Sequence, residues 1–337
     1  MPSLPLTLAL AQHAFAPVQS AIEAGRIPGA VLGVQTPDGR AVLAAGAAQT
    51  VPLRRAMTPD TWFDLASLTK VVFTTPRILA LADAGVIALD GPLTQLLPDL
   101  RQYDPAAWER QVTFRQCLGH LTPFPAVVPL YTLGRDADLL RAWVLQNEWR
   151  AGPPVYSDVN FILLGLALER HSGLRIRQLD PGPGFTFAAD PAQSAATEDC
   201  TWRRRVLCGE VHDDNCAALQ GAGHAGLFGT AAAVLDFAQG LLDGSGAPAG
   251  VIAQMRTPLS DTRTHGWQRA HPGWSGGDAA PAGCIGHTGF TGTGLWIDFA
   301  KGRAWTLLTN RIHPTRHFDS GIAALRRAVG DAICEGA

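Results

Sequence analysis

Phe63-Asp64-Leu65-Ala66-Ser67-Leu68-Thr69-Lys70 sets a serine three residues ahead of a lysine, at the head of an apolar run that continues to Ala84. Lysine is scarce here: the chain has two, Lys70 and Lys301, against ten serines. The spacing has a chemical sense. Residues three apart share one face of a helix, so Lys70 would carry its amine beside the Ser67 hydroxyl. A serine hydroxyl is a poor nucleophile until a neighbouring base takes its proton. A partly desolvated lysine, its pKa lowered, can be that base. Ser67 would also stand near a helix N-terminus, where backbone N–H groups favour a developing oxyanion. The plainer reading is a serine cap followed by a surface lysine, and this stretch alone does not decide between them.

Outward from it, the pattern reads as strands at both ends of the chain with helices between. Ala30–Gln35 and Ala41–Ala47 alternate, with Pro37-Asp38-Gly39 as a hairpin turn between them. Before them, Leu6, Leu10, Phe15, Val18 and Ile22 recur at helical spacing. Helical stretches follow at Leu68–Ala84, closed by Gly85, then at Asp136–Glu148, Asn160–His171 and Thr230–Leu242. The proline- and glycine-rich segments Gln178–Gln193 and Gly244–Gly250 read as irregular. Strand-like segments return at Cys284–Phe290, Gly294–Asp298 and Ala304–Thr309, before a closing helix from Ser320 to Cys334. The expected architecture is α+β. One sheet is completed by both termini (residues 1–66 and 265–337), and residues 67–264 form a mostly helical lobe. A cleft between the lobes is the natural place for a site.

Composition bounds the function. With 337 residues, 47% hydrophobic, 17% charged and net charge −2, the chain is too apolar and too neutral to be disordered. It has no overall basic footprint for nucleic acid or an anionic membrane. No run approaches eighteen apolar residues. Leu4–Phe15 is apolar and Ala14-Phe15-Ala16 resembles a cleavage site, but no basic residue precedes Arg26. A leaderless, cytoplasmic chain is therefore expected. Six cysteines are too dilute for a disulfide scaffold. Cys208, His212 and Cys216 would share a helix face as zinc ligands, but no C-x-x-C occurs, and His212-Asp213-Asp214-Asn215 reads as loop. Buried free thiols are expected instead.

Two further stretches carry possible chemistry. Tyr156-Ser157-Asp158-Val159-Asn160 sits at a loop-to-helix junction after Pro153-Pro154. Tyr156 could shuttle a proton between Ser67, Lys70 and a leaving group. Taken alone, the stretch reads more readily as Ser157 or Asp158 capping the helix while Tyr156 packs. Gly286-His287-Thr288-Gly289-Phe290-Thr291-Gly292 offers small residues on a strand that a ligand could approach closely. It could also be a glycine-rich strand with a bulge.

Taken in order, Ser67-x-x-Lys70, Tyr156-x-Asp158 and His287-Thr288-Gly289 resemble the three motifs of the serine β-lactamase and penicillin-binding superfamily. The nearest branch is the class C β-lactamases with the related D-alanyl-D-alanine carboxypeptidases and family VIII carboxylesterases. Phe63–Lys70, Tyr156–Gly165 and Gly223–Thr230 resemble the text around those motifs, and Gly209–Asn215 and Leu308–Arg316 resemble a leaderless esterase-like subgroup. The resemblance spans Ile27 to Arg316 and is weak between Arg175 and Gln193. It implies a two-lobe transpeptidase-like fold, Ser67 as acylated nucleophile, Lys70 as its base and Tyr156 as second proton carrier. It implies His287, Thr288 and Gly289 beside the substrate, and an oxyanion hole of the Ser67 and Phe290 N–H groups. No metal or organic cofactor is implied. The implied partner is a small ester, amide or D-peptide; the oligomeric state is left open.

Three departures bear on substrate and rate. Asp158 stands where the family usually has Asn, and an anion there would favour charged Lys70 and weaken it as a base. His287 stands where many members have Lys, and a neutral imidazole holds a substrate carboxylate less firmly. Gly119–Phe124 departs from the family's His-Thr-Ser-Gly wording. The expectation is a serine hydrolase acting on carboxylic esters or small amides. The alternatives are a D-alanyl carboxypeptidase or β-lactamase, a non-catalytic penicillin-binding sensor, and a scaffold on a degenerate hydrolase fold. His212, Asp213 and Asp214 read mainly as a hydrogen-bonded loop and His224 as a structural residue. Trp202, Trp267 and Trp274 read as core or cleft wall.

Overall fold

The two ends of the chain meet in one sheet. A computed structural model describes residues 4–336. Strand Gly29–Thr36 pairs antiparallel with Arg303–Thr309, with Ala30 opposite Thr309 and Leu32 opposite Leu307. Among the described residues the sheet has seven strands. In spatial order they are Arg55–Ala56, Gly39–Gln49, Gly29–Thr36, Arg303–Thr309, Gly294–Asp298, Ile285–Thr288 and Gln268–Arg269. Every neighbouring pair is antiparallel. The hairpin turn falls at residues 37–38, as the Pro-Asp-Gly chemistry requires.

Strand alternation sends two sets of side chains to two cores. Ala30, Leu32, Val34, Trp296, Trp305 and Leu307 face the terminal helices, Leu4–Glu23 and Ile322–Glu335. The buried stripe of the first helix differs from the expected one. It runs through Ala11, Ala14, Phe15, Val18 and Ala21, while Leu6 is exposed. Alanines let this helix lie close on the sheet; the leucines that marked the periodicity fall at its margin. Trp274 belongs to this core, and Trp267 is buried in the other.

The opposite face carries Val31, Ile285, Leu295, Ile297 and Leu308. Helix Ala231–Asp243 covers it, with Leu235 over Gly33, where a Cβ would come within 2.8 Å of Leu235 Cδ1. This core continues into the helices Phe114–Gly119, Ala137–Gln146 and Asp158–Ser172. The expected helix Leu68–Ala84 forms in two windings: a π-helical turn, Lys70–Thr74, then an α-helix, Thr75–Asp83. Pro76 has no N–H to give to Val72, and the α-ladder yields to the wider winding there. Gly85, at φ +71°, ends the segment as expected.

Candidate active site

Asp64 fixes the approach to Ser67. Phe63–Asp64 is one edge of a small three-stranded sheet with Phe228–Gly229 and Phe185–Thr186. The Leu65 N–H donates to Leu227 O, and the buried Asp64 carboxylate accepts the N–H groups of Ala66 and His212 at 2.8 and 2.6 Å. Held on both sides, Ala66 takes φ +47°. A left-handed conformation costs a non-glycine residue roughly 1–2 kcal/mol, and such strain is met where the surroundings over-determine the backbone. The consequence is a sharp corner that presents Ser67, half-buried, to the cleft.

Lys70 is fully buried behind it. Its Nζ donates to Ser67 Oγ at 2.9 Å and to His224 O at 3.1 Å, and lies 2.8 Å from Asp158 Oδ1. Burial alone would favour the neutral amine. The Asp158 carboxylate and the Tyr156 hydroxyl outweigh it and push the Lys70 pKa above its ordinary value. Asp158 thus faces Lys70 directly.

Tyr156 stands over the same amine, with its ring centre 5.0 Å from Lys70 Nζ. Ser157 occupies the N-cap of helix Asp158–Ser172, yet its hydroxyl donates to Pro125 O rather than capping. His120, in the loop with the unusual wording, packs beneath Tyr156 with ring centres 4.4 Å apart. Its Nδ1 accepts the Ser157 N–H at 3.0 Å, leaving Nε2 buried and unpartnered. The Arg263 guanidinium lies 5.3 Å from the Tyr156 ring centre, its Nη1 also unpartnered.

His287 is buried, its ring centre 5.9 Å from that of Tyr156, with Nδ1 on Thr288 O and Nε2 unpartnered. Burial first, then the Lys70 and Arg263 charges, hold both His287 and His120 well below the usual histidine pKa. Thr288 is half-buried and Gly289 packs against the serine corner. A Cβ on Gly289 would come within 2.6 Å of Leu65 O and 2.1 Å of Thr293 Oγ1. Among the described residues, neither the Ser67 N–H nor the Phe290 N–H has an acceptor. Both residues line one cleft.

That cleft, about 450 Å³, is lined by Ser67, Tyr156, Asp158, Asp213, Phe290 and Arg316, among others. Of the expected strand residues Phe290 lines it directly, while His287 is buried against Tyr156 and Thr288 is half-buried beside it. The segments around His212 and Arg316 meet at its rim. Glu198 accepts from Arg316 Nε at 2.9 Å and pairs with His212 Nε2 at 3.0 Å, and the His212 ring stacks on Phe290. Burial opposes the Glu198 charge, but these partners hold its carboxyl well below the usual range. His212, Asp213 and Asp214 therefore form a hydrogen-bonded loop and also flank the cleft. His224 pairs with Asp213 at 2.9 Å and also offers Lys70 its carbonyl.

Cys208, His212 and Cys216 form no ligand set, and all six cysteines are free thiols, with Cys208 and Cys334 half-buried. Asp158, Asp213 and His224 do bring ligand atoms within 4.8 Å of one another. Lys70 already supplies the cation there. The roles of Asp64, His120 and Arg263 were not legible in the sequence, because each depends on a partner distant along the chain.

A family model described as Beta-lactamase matches residues 15–329. An N-acetylmuramyl-L-alanine amidase of Bacillus subtilis (strain 168) is 29% identical, over 88% of this chain and 80% of that protein. A putative D-alanyl-D-alanine carboxypeptidase of Salmonella agona (strain SL483) is 27% identical, over 76% and 71%. A class C beta lactamase structure superposes with TM-score 0.74 at 16% identity, covering 98% of both chains. EstCE1, a hydrolase with promiscuous acyltransferase activity, does so with TM-score 0.71 at 20% identity, covering 96% of this chain and 98% of that one. The family model spans nearly the whole molecule, including the serine–lysine corner beside its cleft and the sheet closed by both termini, and the chain belongs to the Beta-lactamase family of serine hydrolases.

Proposed function

We propose that the protein hydrolyses small carboxylic esters or amides through an acyl-enzyme on Ser67. One observation carries the reading: Lys70 Nζ lies 2.9 Å from Ser67 Oγ in a cleft where the N–H groups of Ser67 and Phe290 are unclaimed. In the reactive form Lys70 is neutral and takes the Ser67 proton as Oγ bonds to the acyl carbon. The carbonyl electrons move to the oxygen, which accepts from the two free N–H groups. Tyr156 relays the proton to the leaving oxygen or nitrogen, which departs as alcohol or amine. Water then attacks the acyl-enzyme, the acid leaves, and Ser67 regains its proton. A neutral, buried His287 and an Arg316 tied to Glu198 support uncharged esters or amides.

Intact mass of the protein with a p-nitrophenyl ester, a fluorophosphonate and a penicillin tests this. The expected result is one acyl or phosphonyl adduct, ester turnover, and loss of at least about 10³-fold in rate in Ser67→Ala. A loss under tenfold overturns the reading.

Arg263 favours a second reading. An unpaired guanidinium beside Tyr156 could draw a substrate carboxylate, as in a D-alanyl peptide or a β-lactam. On that reading Arg263→Met raises KM for carboxylate-bearing substrates about tenfold or more, the cost of a charge-assisted hydrogen bond, and leaves neutral esters unchanged. Equal KM for both substrate types in wild type and variant removes it.

A further inference from the structure

The closing helix sends one side chain through the core to the back of the oxyanion site. Arg326 is buried, and its Nη2 donates to Gly289 O at 2.8 Å and to Thr293 O at 2.7 Å. Its Nε is buried without a partner. Among the described residues no carboxylate pairs with it, and the charge that acts on it is another cation, Arg311. Burial, with that neighbour, lowers its pKa to about 9. A buried guanidinium without a counter-ion is costly to keep.

What it touches is specific. The Gly289 carbonyl and the Phe290 N–H belong to one planar peptide unit, so a donor on the oxygen fixes where the N–H points. The same carbonyl also accepts the Gly292 N–H at 3.1 Å. Thr291 and Thr293 hydroxyls donate to Asp64 O and Leu65 O, tying this turn to the corner that carries Ser67. Hydrogen bonds in a chain polarise one another, and a charged donor on the carbonyl makes the opposite N–H a stronger donor.

We infer that Arg326 is a positioning residue for the oxyanion hole: it orients and polarises the Gly289–Phe290 peptide so that the Phe290 N–H meets the oxyanion formed at Ser67. This rests on the acyl-enzyme reading above. The positive charge behind the peptide adds to the field that stabilises the oxyanion.

The test compares wild type, Arg326→Met and Arg326→Lys on a p-nitrophenyl ester, with an alkylboronic acid as a tetrahedral adduct former. Melting temperature and the 15N-phenylalanine spectrum are read alongside. In Arg326→Met, kcat falls by on the order of 10- to 100-fold with KM little changed, less than the loss from deleting an oxyanion donor outright. Boronate affinity falls by a similar factor, the Phe290 amide resonance moves, and Arg326→Lys recovers part of the loss. A folded Arg326→Met with kcat and boronate affinity within threefold of wild type overturns the inference and leaves the hydrolase reading standing. Should Arg326→Met not fold, a folded Arg326→Lys with unchanged kcat and boronate affinity and a lowered melting temperature overturns it equally. Wild type that takes up neither fluorophosphonate nor boronate at Ser67 overturns both readings together.

Discussion

A buried ammonium in contact with both a serine hydroxyl and a carboxylate is pulled two ways. Burial drives Lys70 toward the neutral amine that can accept the Ser67 proton, whereas Asp158, 2.8 Å away, holds it charged. Near neutrality the reactive form is scarce, so the ester rate should climb as pH rises into the alkaline range. Asp158→Asn removes the anion, leaving burial opposed by Tyr156 alone, and lowers the Lys70 pKa. The rising limb of kcat/KM then shifts to lower pH, and activity at pH 7 to 8 increases. Stopped-flow ester hydrolysis from pH 6 to 10 checks this. A variant slower at every pH would make Asp158 a required proton relay. The same competition bears on deacylation, so acyl adducts should persist longer in wild type than in Asp158→Asn.

At the scale of elements, the serine corner and the turn after the Ile285–Thr288 strand act as one unit. Gly289 is where they touch: a Cβ there meets the Leu65 carbonyl, which is backbone and cannot step aside. Gly289→Ala should destabilise by about 1–3 kcal/mol, as overpacking does, and should cost more activity than its drop in melting temperature accounts for. Thermal melts read with ester kinetics decide it. Unchanged kcat would mean that the turn moves freely of the site. What was legible in the sequence here is local. Ser67 and Lys70 are three residues apart, and their contact forms even though a π-helical turn, Lys70–Thr74, follows where an unbroken α-helix is expected. Tyr156 and His287 stand out because each lies in a short motif whose wording resembles a family, and the fold brings both rings beside Lys70. Asp64, whose carboxylate is bonded to a residue 148 positions away, and Arg326, bonded 37 positions back, carry no local mark. An aspartate before a turn and an arginine on a helix look ordinary until the chain folds.

On the whole-molecule scale, the fold buries titratable groups in two sets, which gives its stability a stepped pH dependence. His120, His287, His265 and His313 all have pKa values lowered chiefly by burial, offset in part at His287, His265 and His313 by ring N–H bonds to backbone carbonyls. The unfolded chain takes up protons on these groups below about pH 6.5 while the folded one resists. Stability is therefore intact above that pH and lost as pH falls beneath it. Asp213 and Glu198 are held below their ordinary range by His224 and by His212 with Arg316, against the effect of burial. Their contribution is lost at lower pH, below roughly pH 4.5. Asp64 runs the other way: burial raises its pKa despite two N–H donors, so its charge costs stability at neutral pH, and acid relieves that cost. Calorimetric melts should show a first decline between about pH 6.5 and 5 and a second, steeper one below about pH 4.5. Replacing His120 and His287 together by Asn should shrink the first step, to which His265 and His313 still contribute, and leave the second. A double variant that keeps the full first decline would place those protons on other groups.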